Sequence, residues 1–241
     1  MHNNFLFDLD MTLLDFHATE RIALELVVKD NGCTFSDDLY TFFKARNKEL
    51  WLKLENGEIT RQELFVTRFK LLFETLGKDT FKMDLLKING SFITYMAHNG
   101  VLMDGALEFL RKLKTIEDSR ICIISNGATV NAEGRMRSTG LDTLVDEVFI
   151  SETIGATKPS TDFFDIVLET IGEPRENCIV IGDSLTSDML GAKNARIASC
   201  WFMPQGDIGS AMREYDINYK AENYDVLFEV LKKWSAVHNT V

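Results

Sequence analysis

Five short runs of β-branched and apolar residues, Phe5–Phe7, Ile121–Ile124, Val148–Ile150, Ile179–Ile181 and Ser199–Phe202, recur along the chain with helical stretches between them. The runs are continuously apolar rather than alternating, which is the pattern of strands buried on both faces, and helical crossovers between such strands build a parallel sheet. The rhythm therefore predicts an α/β fold with a doubly wound parallel sheet.

Three of the runs lead into polar groups: Asp8-Leu9-Asp10, Ser125-Asn126-Gly127 and Gly182-Asp183-Ser184. Ligands of open α/β sheets bind beyond the carboxyl ends of the strands, so separate strands deliver these groups to one edge. Two carboxylates one residue apart beside an apolar core need a cation, a proton or a shell of hydrogen bonds. The Asp8–Asp10 pair thus points to metal binding or acid/base chemistry, although most such pairs, taken alone, are polar strand ends entering a solvated loop.

The region from about Asp15 to Asn99 reads as helices only, and so as an insertion. Thr60 and Glu63 fit a capping box, and Phe65, Phe69, Leu72, Phe73 and Leu76 follow the stripe of one buried helical face. Comparable patterns run from Ala18 to Val28 and from Leu39 to Leu54, separated by turn material at Asn31-Gly32, Asn56-Gly57 and Gly77. The expected division is an α/β core of residues 1–14 and 100–241 and a helical cap of residues 15–99. Inserted just after the first strand, the cap would hang over that strand's carboxyl end, placed to act as a lid and to carry specificity. A last helix is expected over Tyr224–Trp234, with Val226, Leu227, Val230 and Leu231 on an apolar face that either closes the sheet or serves as an interface.

Composition narrows the partners. A formal net charge of -11 speaks against a nucleic-acid polymer or an anionic membrane surface, while a small anion is compatible if a metal and a few cations line its site. No apolar run approaches the roughly 20 residues of a membrane span, and Asp8 comes too early for a signal-peptide core, so a cytoplasmic protein is expected. Cys33, Cys122, Cys178 and Cys200 form no Cys-x-x-Cys pair and read as reduced thiols. His2, His17, His98 and His238 lack ligand spacing and read as structural or surface groups.

Asp8-Leu9-Asp10-Met11-Thr12, Ser125-Asn126-Gly127, Lys158-Pro159 and Gly182-Asp183-Ser184-Leu185-Thr186-Ser187-Asp188 resemble, in order and spacing, the four signature motifs of haloacid dehalogenase superfamily phosphatases. The resemblance covers nearly the whole chain. It implies a Rossmann-like core with an inserted all-helical cap, and a magnesium-dependent phosphomonoesterase.

The resemblance also implies roles. Asp8 would attack phosphorus and form an aspartyl-phosphate, dividing one hard displacement into two easier ones. Asp10 would act first as general acid on the leaving alkoxide and then as general base on water. Mg2+ would be held by Asp8, Asp183, the backbone carbonyl of Asp10, and Asp188 directly or through water. Asp188 reads equally as a helix N-cap ahead of Met189-Leu190-Gly191-Ala192. Ser125, the amides around Asn126 and Gly127, and Lys158 would clamp the phosphoryl oxygens, with Thr12 supporting the first loop. Without the other motifs, a lysine before a proline in a loop reads as solvated. Met11 departs from the glycine or asparagine often found there, which implies altered loop packing rather than lost chemistry. The presence of Asp10 separates the chain from the dehalogenases of the superfamily, which lack that acid and need no metal.

For substrate, the cap stretch Trp51 to Arg61 with Thr67-Arg68-Phe69, and Cys200-Trp201 in the core, resembles the pyrimidine nucleotidase branch, which hydrolyses nucleoside 5′-monophosphates. Asn47, Arg61 or Arg68 would then read a base edge or ribose, whereas Trp51 and the cap phenylalanines read more simply as helix-bundle core. The alternatives are a phosphatase or phosphomutase of small sugar, sugar-acid or glycolate phosphates on the same core, carbon–halogen hydrolysis, and a non-enzymatic binding module.

Overall fold

The computed structural model describes residues 2–238, apart from the side chains of Glu55 and His238, so the reading of that histidine lies outside the described residues. The chain forms two compact units, Met1–Phe16 with Gly100–Val241, and His17–Asn99.

Six strands make one sheet: β1 (Asn3–Phe7), β2 (Ser119–Ser125), β3 (Glu147–Ile150), β4 (Cys178–Gly182), β5 (Ala198–Phe202) and β6 (Tyr219–Ala221). Every pairing is parallel and the order is β3-β2-β1-β4-β5-β6. This is the expected doubly wound sheet, and its order reverses between β1 and β4, the switch point where such sheets bind ligands. All five apolar runs lie in strands, whereas β6 is a three-residue edge strand, Tyr-Lys-Ala, with no apolar run to announce it. β1 begins two residues ahead of its apolar run. Its asparagines tolerate burial because Asn3 Nδ2 donates to the Glu117 carbonyl at 3.2 Å and Asn4 Nδ2 to the Asn177 carbonyl at 3.1 Å.

Between β1 and β2 lie α1 (Phe16–Asp30), α2 (Asp37–Glu55), α3 (Arg61–Thr75), α4 (Leu85–His98) and α5 (Ala106–Leu113). The later helices are α6 (Thr129–Thr139), α7 (Ser151–Ile154), α8 (Thr161–Ile171), α9 (Leu190–Ala195), α10 (Ile208–Glu214) and α11 (Tyr224–His238). Alternation along the strands sorts the core into two layers. Phe5, Phe7, Ile121, Ile123, Ile179 and Ile181 pack with Phe109, Leu110 and Leu113 of α5 and with Leu227, Leu231 and Trp234 of α11. Leu6, Cys122, Ile124 and Val180 pack with Phe163, Phe164 and Val167 of α8 on the other side.

The last helix therefore closes the sheet. Its buried face is rotated from the expected one: Leu227, Phe228, Leu231 and Trp234 are inside, and Val226 is exposed. The large rings decide that rotation, with Trp234 against Phe5 at a centroid distance of 5.9 Å. Cys122, Cys178 and Cys200 are buried free thiols, and burial pushes each up to about 12, which leaves them unreactive. Among the described residues no helix is long and apolar enough to cross a membrane.

In the helical unit the Thr60–Glu63 capping box forms as expected: Glu63 N donates to Thr60 Oγ1 at 3.2 Å and Thr60 N to Glu63 Oε2 at 2.7 Å. Phe43, Phe69 and Phe92 build the core, with ring centroids 5.5–5.8 Å apart. Two expectations need correction. Trp51 is not core but 38% exposed, because α2 buries the stripe Leu39, Phe43, Asn47 and Leu50, and position 51 falls one step off it.

The buried face of α3 is Leu64, Arg68, Phe69, Leu72 and Phe73, leaving Phe65 and Leu76 at its margins. Arg68, expected to read a substrate, is an internal group: its Nε donates to Asn89 Oδ1 at 3.1 Å, and the rings of Phe65, Phe69 and Phe92 lie 4.9–5.2 Å from its guanidinium carbon. Asn47 likewise donates to the buried Glu20 at 3.3 Å, while Arg61 is exposed. Burial pushes Arg68 down to about 10 and Glu20 upward.

Arg68→Ala removes both the packing and the partner of Asn89, so it is expected to destabilise by about 2–4 kcal/mol, and Arg68→Met by clearly less because the ring cage stays filled. Urea unfolding of the two variants checks the order; equal losses would mean that charge, not packing, holds this residue.

Candidate active site

Lys158, in the loop before α8, organises the carboxyl edge of the sheet. Its ammonium is buried and donates to Asp8 Oδ1 at 2.6 Å, to Asp188 Oδ1 at 2.7 Å and to the Ile124 carbonyl at 2.8 Å. An ammonium has three protons, and here each finds an acceptor. The solvated reading of this lysine is thereby excluded. Asp188 and Asp8 hold it positive against the opposing effect of burial.

Asp188 is fully buried in a single turn of π-helix, Leu185–Met189, after β4. Its Oδ2 accepts from Ser184 N at 3.1 Å. The N-cap of that turn is Ser184, so the reading of Asp188 as a cap ahead of Met189 is corrected. π-Turns of this kind concentrate at functional sites. Gly182, the last residue of β4, makes room for it: a Cβ there would stand 2.2 Å from Asp188 Oδ2.

Asp8, Asp183 and Asp188 form one acidic cluster, with a carboxylate oxygen from each lying within 4.8 Å of the others. Burial pushes the Asp8 carboxyl well up, against the pull of Lys158 beside it. Burial, followed by the charge of Asp188, pushes Asp183 up to about 6. Asp8, Asp10, Asp183 and Asp188 bring four carboxylates to this edge, and the cations that pair with members of this set among the described residues are Lys158 and Arg135. An all-oxygen donor set with unbalanced negative charge fits a hard divalent cation.

The Asp10 side chain is not in that cluster. Arg135 of α6 holds it with both guanidinium nitrogens, Nη2 donating to Oδ2 at 3.1 Å and Nη1 to Oδ1. Met11, directly after Asp10, has a φ of 60°. A methionine thus takes the left-handed backbone that glycine or asparagine adopts readily, at a cost of about 1–2 kcal/mol. Thr12 is fully buried; its carbonyl accepts from Tyr224 at 2.6 Å, and its hydroxyl has no partner among the described residues.

Ser125 Oγ accepts from Gly127 N at 3.1 Å. Asn126 pairs reciprocally with the Lys158 backbone, accepting from its N and donating to its carbonyl, both at 2.8 Å. Of the eight residues expected at the site, Asp8, Asp183 and Asp188 form the acidic cluster, Lys158 bonds two of them, Asn126 holds the Lys158 backbone, Ser125 ends β2, and Asp10 and Thr12 lie in the first loop. Sequence reasoning missed Arg135, and it singled out Trp201 only through the branch resemblance and not for its contact here, where the indole donates to the Asp183 carbonyl at 2.9 Å. The available signal for Arg135 was its place between Ala132 and Met136 on the buried face of α6.

The haloacid dehalogenase-like hydrolase family profile matches residues 2–196, which include all eight expected site residues and Arg135. The chain belongs to the haloacid dehalogenase-like hydrolases. Among relatives of this hydrolase, pyrimidine 5′-nucleotidase PynA of Streptococcus pneumoniae is 37% identical over 206 residues, 83% of each chain. Pyrimidine 5′-nucleotidase YjjG of Escherichia coli is 34% identical over 196 residues, 81% of this chain and 83% of that one. Glyceraldehyde 3-phosphate phosphatase of Pyrococcus furiosus is 30% identical over 236 residues, 94% of this chain and 92% of that one. The crystal structure of the HAD-hydrolase YfnB of Bacillus subtilis, bound to magnesium, superposes with a TM-score of 0.81 at 29% identity, covering 95% of this hydrolase and 98% of that chain.

Asp183 titrates near 6 when folded, against an ordinary value of 3.8, so between those pH values the folded metal-free hydrolase holds a proton that the unfolded chain has released. Its stability therefore falls as pH rises through this window, by at most about 2–3 kcal/mol. A divalent cation that binds the ionised cluster is expected to raise the Tm at pH 7.5 and to do little at pH 5. Scanning calorimetry with and without the cation checks this; equal shifts at the two pH values would place the cation elsewhere.

Proposed function

We propose that this hydrolase is a magnesium-dependent phosphomonoesterase that acts on nucleoside 5′-monophosphates through an aspartyl-phosphate on Asp8. The observation that carries the reading is the assembly of Asp8 with Lys158, Asp183 and Asp188 at the switch point of the sheet. Likeness to two pyrimidine 5′-nucleotidases supports the substrate class.

In this reading an Asp8 oxygen attacks phosphorus while the bond from phosphorus to the ester oxygen breaks. Asp10 gives its proton to the departing alkoxide. In the second step Asp10 takes a proton from water, the water oxygen bonds to phosphorus, and Asp8 leaves as carboxylate with inorganic phosphate as product. Ser125, the Asn126 and Gly127 amides and Lys158 carry charge that builds on the phosphoryl oxygens, with Asn126 also fixing the Lys158 loop. Asp8, Asp183, Asp188 and the Asp10 carbonyl would hold Mg2+, which supplies charge neutralisation at the phosphoryl group. A second reading, a phosphatase of small sugar phosphates, is favoured by the likeness to the glyceraldehyde 3-phosphate phosphatase.

Phosphate release from a panel of nucleoside monophosphates and sugar phosphates, with Mg2+ and with chelator, tests both. Turnover of the nucleotides is expected, lost with chelator, abolished by Asp8→Asn and lowered about 10²- to 10⁴-fold by Asp10→Asn. Turnover of sugar phosphates alone would keep the mechanism and remove the nucleotidase assignment. Turnover that survives chelation would remove the metal.

A further inference from the structure

Arg135 lies outside all four motif segments, yet it is among the most deliberately placed side chains in the α/β unit. Its side chain is 3% exposed, and its guanidinium forks onto the carboxylate of Asp10 across 125 residues of sequence. The backbone beneath it is fixed: Ser138 Oγ and Thr139 Oγ1 donate to the Arg135 carbonyl at 3.0 and 2.8 Å. Gly100 N donates to Ser138 Oγ at 3.1 Å, and a Cβ on Gly100 would stand 2.7 Å from the Arg135 carbonyl oxygen, so only glycine lets the chain pass so close. The Phe16 ring lies 5.7 Å from the guanidinium carbon.

The arginine also tolerates a defect to keep this geometry. Its Nε is buried without a partner among the described residues, so the fork on Asp10 is held while one polar atom goes unsatisfied. A helix that needed only packing at this position would be served by an apolar residue like its neighbours Ala132 and Met136, since a buried ion pair seldom outperforms hydrophobic residues of similar volume.

We propose that Arg135 is a positioning residue for Asp10, holding the carboxylate where it serves the leaving group and the attacking water. Two bonds from a rigid planar fork set both the place and the plane of a carboxylate, which a single lysine contact does not. The inference rests on the acid/base reading of Asp10.

The test compares Arg135→Met, Arg135→Lys, Asp10→Asn and the two double variants, on a nucleoside monophosphate or whichever aliphatic phosphomonoester is turned over, and on p-nitrophenyl phosphate. The nitrophenolate departs without help from an acid, and kcat/KM reports the steps through departure of the leaving group. Arg135→Met is expected to lower kcat/KM for the aliphatic ester about tenfold or more, within the about 10²- to 10⁴-fold bound set by losing the acid itself. The loss on p-nitrophenyl phosphate should be much smaller, Arg135→Lys should recover part of the activity, and neither change should matter further in the Asp10→Asn background.

Equal losses on both esters, or a full Arg135 effect retained in the Asp10→Asn background, would overturn the inference while leaving the role of Asp10 intact. An Asp10→Asn variant as active as the parent would overturn that role and the inference with it. Thermal unfolding accompanies each variant. If Arg135→Met does not fold, the same comparison of esters and backgrounds with Arg135→Lys decides.

Discussion

A lysine ammonium buried beside two carboxylates is the constraint on which this site depends. Removing such a cation from water costs several kcal/mol, and the cost is offset only when every proton finds an acceptor of good geometry. Lys158 meets that condition through Asp8, Asp188 and the Ile124 carbonyl, and so ties together the loop after β1, the end of β2 and the π-turn after β4. Asn126 fastens the lysine's own backbone to the loop after β2. Gly182 is bound into the same arrangement, because any side chain there would occupy the space of the Asp188 carboxylate. Moving one of these groups would leave a buried charge uncompensated.

Charge explains what remains unsatisfied. With four acids against Lys158 and Arg135, the edge is short of positive charge, and the charge of Asp188 adds to the burial that displaces Asp183 upward to about 6. The two acids of the first loop meet it differently. Asp8 lies in the acidic cluster with Lys158, and Asp10 is paired with Arg135. Leu9, fully buried, stands between the two acids, which enter these separate settings two residues apart. Acid/base pairs depend on such divergence of environment, and in the proposed reaction it assigns the nucleophile to one setting and the proton carrier to the other.

Much of this was legible in the chain itself. Continuous apolar runs with helices between them announce a parallel sheet because strands covered on both faces have no solvated side to mark with polar residues. The polar groups directly after Phe7, Ile124 and Ile181 announce a site for the same reason, since nothing in a core explains them. The capping box at Thr60 was equally readable, being a contact between residues three apart. What failed were judgements about faces. Trp51 and Val226 are exposed and Arg68 is buried, because a helix rotates to bury its largest matched set, and that set includes partners on other helices.

The sequence alone determined the class of fold, the strand ends that carry the site, and the family resemblance that the wider comparison bore out, since each is a local pattern or an ordered set of short motifs. The tertiary structure alone decided which charges meet. That Lys158 is buried rather than solvated, that Asp188 sits inside a π-turn rather than capping a helix, and that Arg135 grips Asp10 are all consequences of packing between segments 30 to 150 residues apart. A side chain's charge is written in the sequence, but its burial and its partner exist only once distant segments have closed the water out.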